Sequence, residues 1–342
     1  MLILGHDDVR ALLGGAEREV LDLVRETYRQ HEEGRTAVPF STFLRFPDSE
    51  RNRIIGLPAY VGGAEPTAGM KWISSFPGNL ALGLERASAA ILVNSMRTGR
   101  PEALVEGSVI SAKRTAASAA LAADLLTSTA PPRGVTLFGC GVINREILRF
   151  LRVAVPSLTS ATLYDTDPAR AEDFARRCPE VAPGITVSVA TGATEALAAQ
   201  PLVSLATTAV HPHLDLTECG PGSTVLHVSL RDVYPEAILR ATNVVDDVDH
   251  VLRERTSLHL AEQLTGRRDF ISATIGQLIA GTAAVPRDPD RTVVFSPFGL
   301  GALDIALADH VLRAARRLGA GVGVPGFLPG DVTAAAVTGP VS

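Results

Sequence analysis

Lysine is almost missing from this chain. Of 32 basic residues only Lys71 and Lys113 are lysines, and the other 30 are arginines. No Lys/Arg tract or aromatic–basic stripe occurs, aromatics make up only 5% and net charge is −5, which argues against nucleic-acid binding. Three scattered cysteines, Cys140, Cys178 and Cys219, include no C-x-x-C, so neither a disulfide framework nor a thiolate metal site is expected, and a reducing cytoplasm fits. Apolar runs all fall short of the ~18 residues that a membrane span needs. Met1 to Asp8 lacks the basic and apolar segments of a signal peptide. G-x-S-x-G, H-E-x-x-H and Walker patterns are also absent. With 46% hydrophobic and 20% charged residues, the composition is ordinary for a soluble globular enzyme, and 342 residues are enough for two cores.

The strongest positive signal begins at Gly134. A strand-like run, Gly134 to Phe138, feeds Gly139-Cys140-Gly141-Val142-Ile143-Asn144 and a helical pattern through Phe150. A second run ends in an acid, Asp165, twenty-four residues past Gly141. This is the layout of a βαβ unit that holds a dinucleotide. Gly139 makes the tight turn, Gly141 lets amides approach the pyrophosphate, and the helix N-terminus adds partial positive charge. Asp165 takes the ribose hydroxyls and would repel a 2′-phosphate, so NAD is expected over NADP. Asn144 stands where a third glycine would be.

Around this unit the chain changes character. Met1 to Leu4 predicts a strand, and Asp7 or Asp8 is placed to cap one long helix reaching Tyr28. From Pro39 to about Gly107, apolar runs at 40–46, 54–61, 69–74, 89–94 and 102–105 predict a mostly antiparallel sheet. An Ala-rich helix, Ser111 to Leu126, ends before a boundary at Pro131-Pro132. Beyond it, strands at 134–138, 160–165, 185–190, 202–207, 224–229 and 243–247, with helices at 144–153 and 168–177, predict a doubly wound parallel sheet. Thr292 to Phe295 leads through Ser296-Pro297-Phe298-Gly299-Leu300-Gly301 into a last helix, Ala302 to Leu318, and the Gly/Pro/Ala-rich tail from Gly319 is expected to be loosely ordered.

Ligands of such sheets bind at the carboxyl ends of strands, which points to Thr207-Thr208 and Ser229-Leu230-Arg231-Asp232. Asp232 could take a proton beside a nicotinamide ring, or merely cap the helix at Pro235. Arg114 at the Ala-rich helix, and more weakly Arg45, could grip a carboxylate in bidentate fashion or simply be surface cations. Lys71 lies in Ala68-Gly69-Met70-Lys71-Trp72-Ile73, an apolar setting where an unpaired charge is costly, so a function is expected there; Lys113 is equally open to chance. Metal alternatives are poor. His211-Pro212-His213 has no third ligand at a recognisable spacing, and Asp246, Asp247, Asp249 and His250 read better as a strand end and helix cap.

Taken in order, Lys71 in Gly-Met-Lys-Trp, Arg114 in Ala-Lys-Arg-Thr-Ala-Ala, the Phe-Gly-Cys-Gly-Val-Ile-Asn loop, Asp165, Asp232 ahead of Glu236, and Ser296 to Gly301 resemble the ornithine cyclodeaminase/μ-crystallin family over nearly the whole chain. The stretches Lys71 to Pro77, Ala103 to Ser108 and His227 to Asp232 look most like its branch that oxidises N-(2-amino-2-carboxyethyl)-L-glutamate to 2,3-diaminopropionate for siderophores and peptide antibiotics.

The resemblance implies an α/β architecture in which a Rossmann domain with a doubly wound parallel sheet, residues 129–301, is inserted in an α+β substrate and dimerisation domain, residues 1–128 plus 302–342. It implies NAD as cofactor, a small amino-acid substrate, a homodimer, and a PLP-dependent synthase upstream. Carried over by position, Arg45, Lys71 and Arg114 would grip substrate carboxylates, with Phe298 beside them. Ser88, Arg114, Gly139, Gly141, Ile143, Asn144, Asp165, Thr207, Thr208, Ser229, Leu230 and Asp232 would lie along NAD. Lys71 and Asp232 would be catalytic, Asp232 in proton transfer. Arg231, which the cyclodeaminase motif lacks, is expected to bind an additional carboxylate of the tricarboxylate substrate. Ornithine cyclisation, imine reduction, alanine dehydrogenation and a non-catalytic NAD-binding role of the μ-crystallin type are the alternatives.

Overall fold

Alternating apolar residues between Pro39 and Gly107 become an antiparallel sheet in the computed structural model, which describes residues 1–285 and 288–329. Its strands are β2 (Thr36–Ala37), β3 (Thr42–Phe46), β4 (Ser49–Val61), β5 (Thr67–Ser75), β6 (Ala87–Asn94) and β7 (Pro101–Glu106), and β1 (Leu2–Leu4) joins its edge parallel to β7. Lys71, Ile73 and Ser75 alternate with Met70, Trp72 and Ser74 along β5, so the two sets face opposite sides of the sheet. The inner face is covered by a helix, Gly301–Leu318, whose apolar side chains are buried against β4, β5 and β6.

A second sheet is entirely parallel: β8 (Gly134–Phe138), β9 (Ser160–Tyr164), β10 (Thr186–Val189), β11 (Leu202–Leu205), β12 (Thr224–His227), β13 (Thr242–Val245), β14 (Ile271–Thr274) and β15 (Val293–Ser296). Its order is β10-β9-β8-β11-β12-β15-β13-β14. The fold is therefore α/β, a Rossmann sheet together with a second α+β unit. The chain builds outward from β8 to β10, then restarts at β11 on the other side of β8. That reversal opens a crevice at the carboxyl ends of β8 and β11, where such sheets hold ligands. Strand β15 enters between β12 and β13, so the loop 297–300 emerges beside the end of β12 before the chain returns to the first sheet.

The Ala-rich helix, Ser108–Thr127, is buried on nearly all sides and touches helices of both units. Alanine suits it because small side chains let the neighbouring backbones approach closely while costing no rotamer entropy.

Three expectations need correction. The long N-terminal helix is two helices, α1 (His6–Leu12) and α2 (Glu17–Glu32), broken at Gly14-Gly15, where Gly15 has φ +74. Gly5 rather than an aspartate is the N-cap, and Asp8 accepts the Gly5 amide at 3.0 Å. In the tail, Val322–Gly323 pairs with β1; a Cβ on Gly321 would lie 2.7 Å from the Ile3 carbonyl, which explains a glycine there. Residues 330–342 of that tail lie outside the described residues. β14 was not foreseen: four residues with one fully buried side chain give too little alternation to stand out.

Candidate active site

At the end of β8 the chain turns at Gly139, φ +87, where any Cβ would sit 2.5 Å from the Ala206 carbonyl of the neighbouring strand end. Only glycine permits that approach. Gly141 is the N-cap of the next helix, Val142–Ala154, and supplies no capping side chain; the nearest atom to a Cβ there would be Arg170 Nη2 at 3.7 Å. No side chain caps the first amides of this 13-residue helix, which leaves them available to an anionic pyrophosphate. Ile143 is half-buried at the same end. Asp165 closes the other side, accepting the Cys140 amide at 2.7 Å and the Asp167 amide at 3.0 Å, with Arg170 Nε 3.7 Å away. Spare lone pairs on both oxygens leave it able to accept ribose hydroxyls. These residues fit a dinucleotide.

Asn144 takes a different part from the one expected. It is fully buried, donates to the Phe138 and Gly139 carbonyls at 2.6 and 2.8 Å, and accepts from Ser204 at 2.7 Å. Its side chain pins the turn from beneath, so only its backbone could meet a cofactor. Ser88 is also displaced from the constellation. Its hydroxyl bonds Ser74 Oγ at 2.9 Å on the face of the sheet opposite Lys71.

Asp232 is completely buried at the end of β12. Thr207 Oγ1, from the end of β11, donates to one of its oxygens and Ser229 Oγ contacts the other. His227 stands beneath, its Nε2 3.3 Å from the Asp232 amide and its Nδ1 3.2 Å from Ser296 Oγ. Burial pushes this carboxyl up, but His227, Ser229 and Thr207 outweigh it and hold the group down at about 2. The turn that creates the nest is made by Leu230 at φ +68, a conformation that costs a non-glycine residue roughly 1–2 kcal/mol. Leu230 itself is buried in the apolar core, so it too can offer a cofactor only backbone. Thr208 is exposed just beyond Thr207.

Across the junction, Lys71 is 1% exposed and donates to Asp304 at 2.6 Å, with Ser111 Oγ 3.3 Å away. Arg114 donates to the other Asp304 oxygen at 3.0 Å. Gly299, φ +92, makes room for that guanidinium, since a Cβ would lie 2.6 Å from Nη1. The loop carrying Gly299 is itself tied down by Asp246, which accepts the Phe298 and Gly299 amides at 2.8 and 2.7 Å. Burial lowers the Lys71 ammonium to about 8 despite Asp304. Asp304 was missed from sequence, although a lone carboxylate in Gly301-Ala302-Leu303-Asp304-Ile305-Ala306-Leu307-Ala308 was a usable signal.

Arg45 does not join Lys71 and Arg114. It is mostly exposed and pairs with Glu254, whose carbonyl accepts Arg231 at 2.8 Å. Phe298 packs its ring 6.0 Å from His250. Lys113 bridges Glu17 and Glu146 at 3.4 and 3.5 Å and serves packing between helices. In the acidic cluster at 246–250, Asp247 caps the helix Val248–Val251 and Asp249 faces Arg268.

Fold and site define a dinucleotide-binding protein of the Rossmann class, with a buried carboxylate at a strand end and paired cations opposite. The chain belongs to the ornithine cyclodeaminase/mu-crystallin family, whose profile matches residues 6–317. It is 28% identical to the N-((2S)-2-amino-2-carboxyethyl)-L-glutamate dehydrogenase of Staphylococcus aureus, over 93% of this chain and 96% of the relative. Alanine dehydrogenase of Archaeoglobus fulgidus is 27% identical over 92% and 95%. Among solved structures, Thermococcus litoralis Δ1-pyrroline-2-carboxylate reductase in complex with NADH and L-proline superposes with a TM-score of 0.88 at 26% identity, covering 95% of this chain and all of that one. An archaeal alanine dehydrogenase dimer with bound NAD gives 0.84 at 26%, over 96% and 99%.

Proposed function

We propose that this NAD-dependent oxidoreductase of amino-acid CH–NH bonds converts N-(2-amino-2-carboxyethyl)-L-glutamate, with water, to 2,3-diaminopropionate and 2-oxoglutarate. The Staphylococcus aureus relative supports the substrate. The observation that carries the proposal is Arg231 immediately beside Asp232, in addition to the Lys71–Arg114 pair. A substrate with a single carboxylate is met by Lys71 and Arg114 and gives Arg231, held through the Glu254 carbonyl, no carboxylate of its own; a tricarboxylate does.

Gly139, Gly141 and the amides of Ile143 and Asn144 would hold the pyrophosphate, Asp165 the adenosine ribose, and Thr207, Thr208 and Ser229 to Asp232 the nicotinamide half. Bound NAD supplies a hydride acceptor for the Cα hydrogen of the glutamate moiety. Lys71 and Arg114 would fix the carboxylate on that carbon. Asp232, ionised throughout the neutral range, faces the secondary amine and stabilises the positive charge that builds on nitrogen as the C=N bond forms. Held near 2 it is a weak base; ligand packed over it would raise it toward the range where it can take a proton from water. Water then adds to the imine carbon and the C–N bond breaks. Its oxygen stays as the ketone of 2-oxoglutarate, and nitrogen leaves protonated on diaminopropionate.

The test is NADH formation with the tricarboxylate, set against ammonia release from ornithine and NADH consumption with pyrroline-2-carboxylate. Turnover is expected in the first assay, and Asp232→Asn should lower kcat by roughly 10²–10⁴-fold. Turnover confined to either other substrate would overturn the assignment. A homodimer belongs to the same proposal: Leu44, Met70 and Trp72 are exposed together on the outer face of the first sheet, and sedimentation velocity measures it.

A further inference from the structure

Arg45 on β3 lies directly opposite Arg53 on β4, and Arg53 lies opposite Ser75 on β5. Arg86, immediately before β6, donates to Ser75 Oγ at 2.7 Å. Arg231 reaches the same corner from the other unit through Glu254, which also pairs with Arg45. Four guanidinium groups thus converge around Arg53, and among the described residues Glu254 is the carboxylate ion-paired within the cluster, while Glu85 and Asp232 act on Arg86 and Arg231 from beyond ion-pair distance. Like charges opposed across two strands destabilise a sheet. Arg53 makes the imbalance plain. It is half-buried, and among the described residues it has no hydrogen-bond or ion-pair partner. Burial, then Arg231, Arg86 and Arg45, push it down to about 10. Arg86 and Arg231 are lowered as well, chiefly by burial.

Ser75 is four residues beyond Lys71 on the same face of β5, about 13 Å along the strand. The corner therefore lies at the far end of the row that begins with Lys71, and next to Asp232 through Arg231. Glu254, at φ +56, occupies it with a carboxylate of the protein's own.

We propose that Arg53 and Arg86, with Arg231 and Arg45, form a second carboxylate subsite that selects di- and tricarboxylate amino acids, and that Glu254 is the internal anion which a substrate carboxylate displaces. This builds on the function proposed above but is tested without turnover. Glutarate and acetate binding to the NADH-bound enzyme are measured by calorimetry. Arg53→Gln and Arg86→Gln should weaken glutarate at least tenfold and acetate less than twofold, Arg53→Lys should recover part of the loss, and Glu254→Gln should tighten glutarate. Ligand-free Arg53→Gln should melt no lower than the parent protein, because an uncompensated charge has gone. Failure of the parent protein to bind glutarate, equal weakening of both ligands, or a lowered melting temperature would each overturn the subsite. Absence of NADH formation with the tricarboxylate bears on the function alone.

Discussion

Two groups of cations are anchored four residues apart along one strand, and they are neutralised in opposite ways. Lys71 and Arg114 share Asp304, and all three are buried. At a more open corner Arg45 pairs with Glu254, Arg231 donates to the Glu254 carbonyl, Arg86 donates to Ser75 and Arg53 feels Glu254 only at longer range. The first group has its geometry fixed before any ligand arrives: the shared acid sets both cation heads, and one net positive charge is left over. The second keeps most of its charge for something from outside. A buried ion pair is weak evidence for stability; here what it sets is position, through the 2.6 and 3.0 Å hydrogen bonds to Asp304, whereas clustered cations with one acid paired among them are a standing cost that an anion relieves.

The largest effect that could break this comparison is Asp304→Asn. Among the described residues it removes the one acid paired with two buried cations, at nearly unchanged volume, which for a broken buried pair costs about 3–5 kcal/mol. A fall in melting temperature on the order of 10 °C is expected by thermal unfolding. Glu254→Gln, touching a pair whose Arg45 side chain is 57% exposed, should change stability by less than about 1 kcal/mol. Equal losses in the two variants would erase the distinction.

How much of this was legible in sequence follows the range of each interaction. The glycine turn, Asp165 and the strand-end Asp232 were readable because turn chemistry and period-two alternation are written in adjacent residues. Asp304 was not, since Lys71 and Arg114 lie 233 and 190 positions away and only the fold joins them. Arg53 escaped for another reason: its neighbour across the sheet depends on hairpin register, which a bulge between Arg45 and Phe46 shifts. Ser88 and Asn144 were placed by position in a pattern. Position does not reveal which way a pleat turns a side chain, or that an amide in a glycine's place is bonded inward to the strand it follows.

A moderate effect concerns pH. Lys71 is held at about 8, mainly by burial. Its ammonium binds a carboxylate and its amine does not, so affinity is present below that value and lost above it. KM for the substrate should rise roughly fivefold between pH 8 and 9, following the protonated fraction. In Asp304→Asn the step should move to lower pH, because Asp304 raises the Lys71 value. A step that stays at 8 in that variant would show the acid to be electrostatically idle.

Salt should separate the two groups most finely. The buried triad is shielded from mobile ions, while the open corner is within reach of them, and at 0.5 M salt the screening length falls to about 4 Å. KM for a tricarboxylate should therefore climb several-fold from about 0.05 to 0.5 M sodium chloride, a modest change beside the two above. The rise should shrink in Arg53→Gln, which has one cation fewer to screen, and the pH step near 8 should persist at both salt concentrations. Were the salt dependence unchanged in that variant, the charge felt by the substrate would come from Lys71 and Arg114 alone, and the four arginines would be one ordinary feature of an arginine-rich surface.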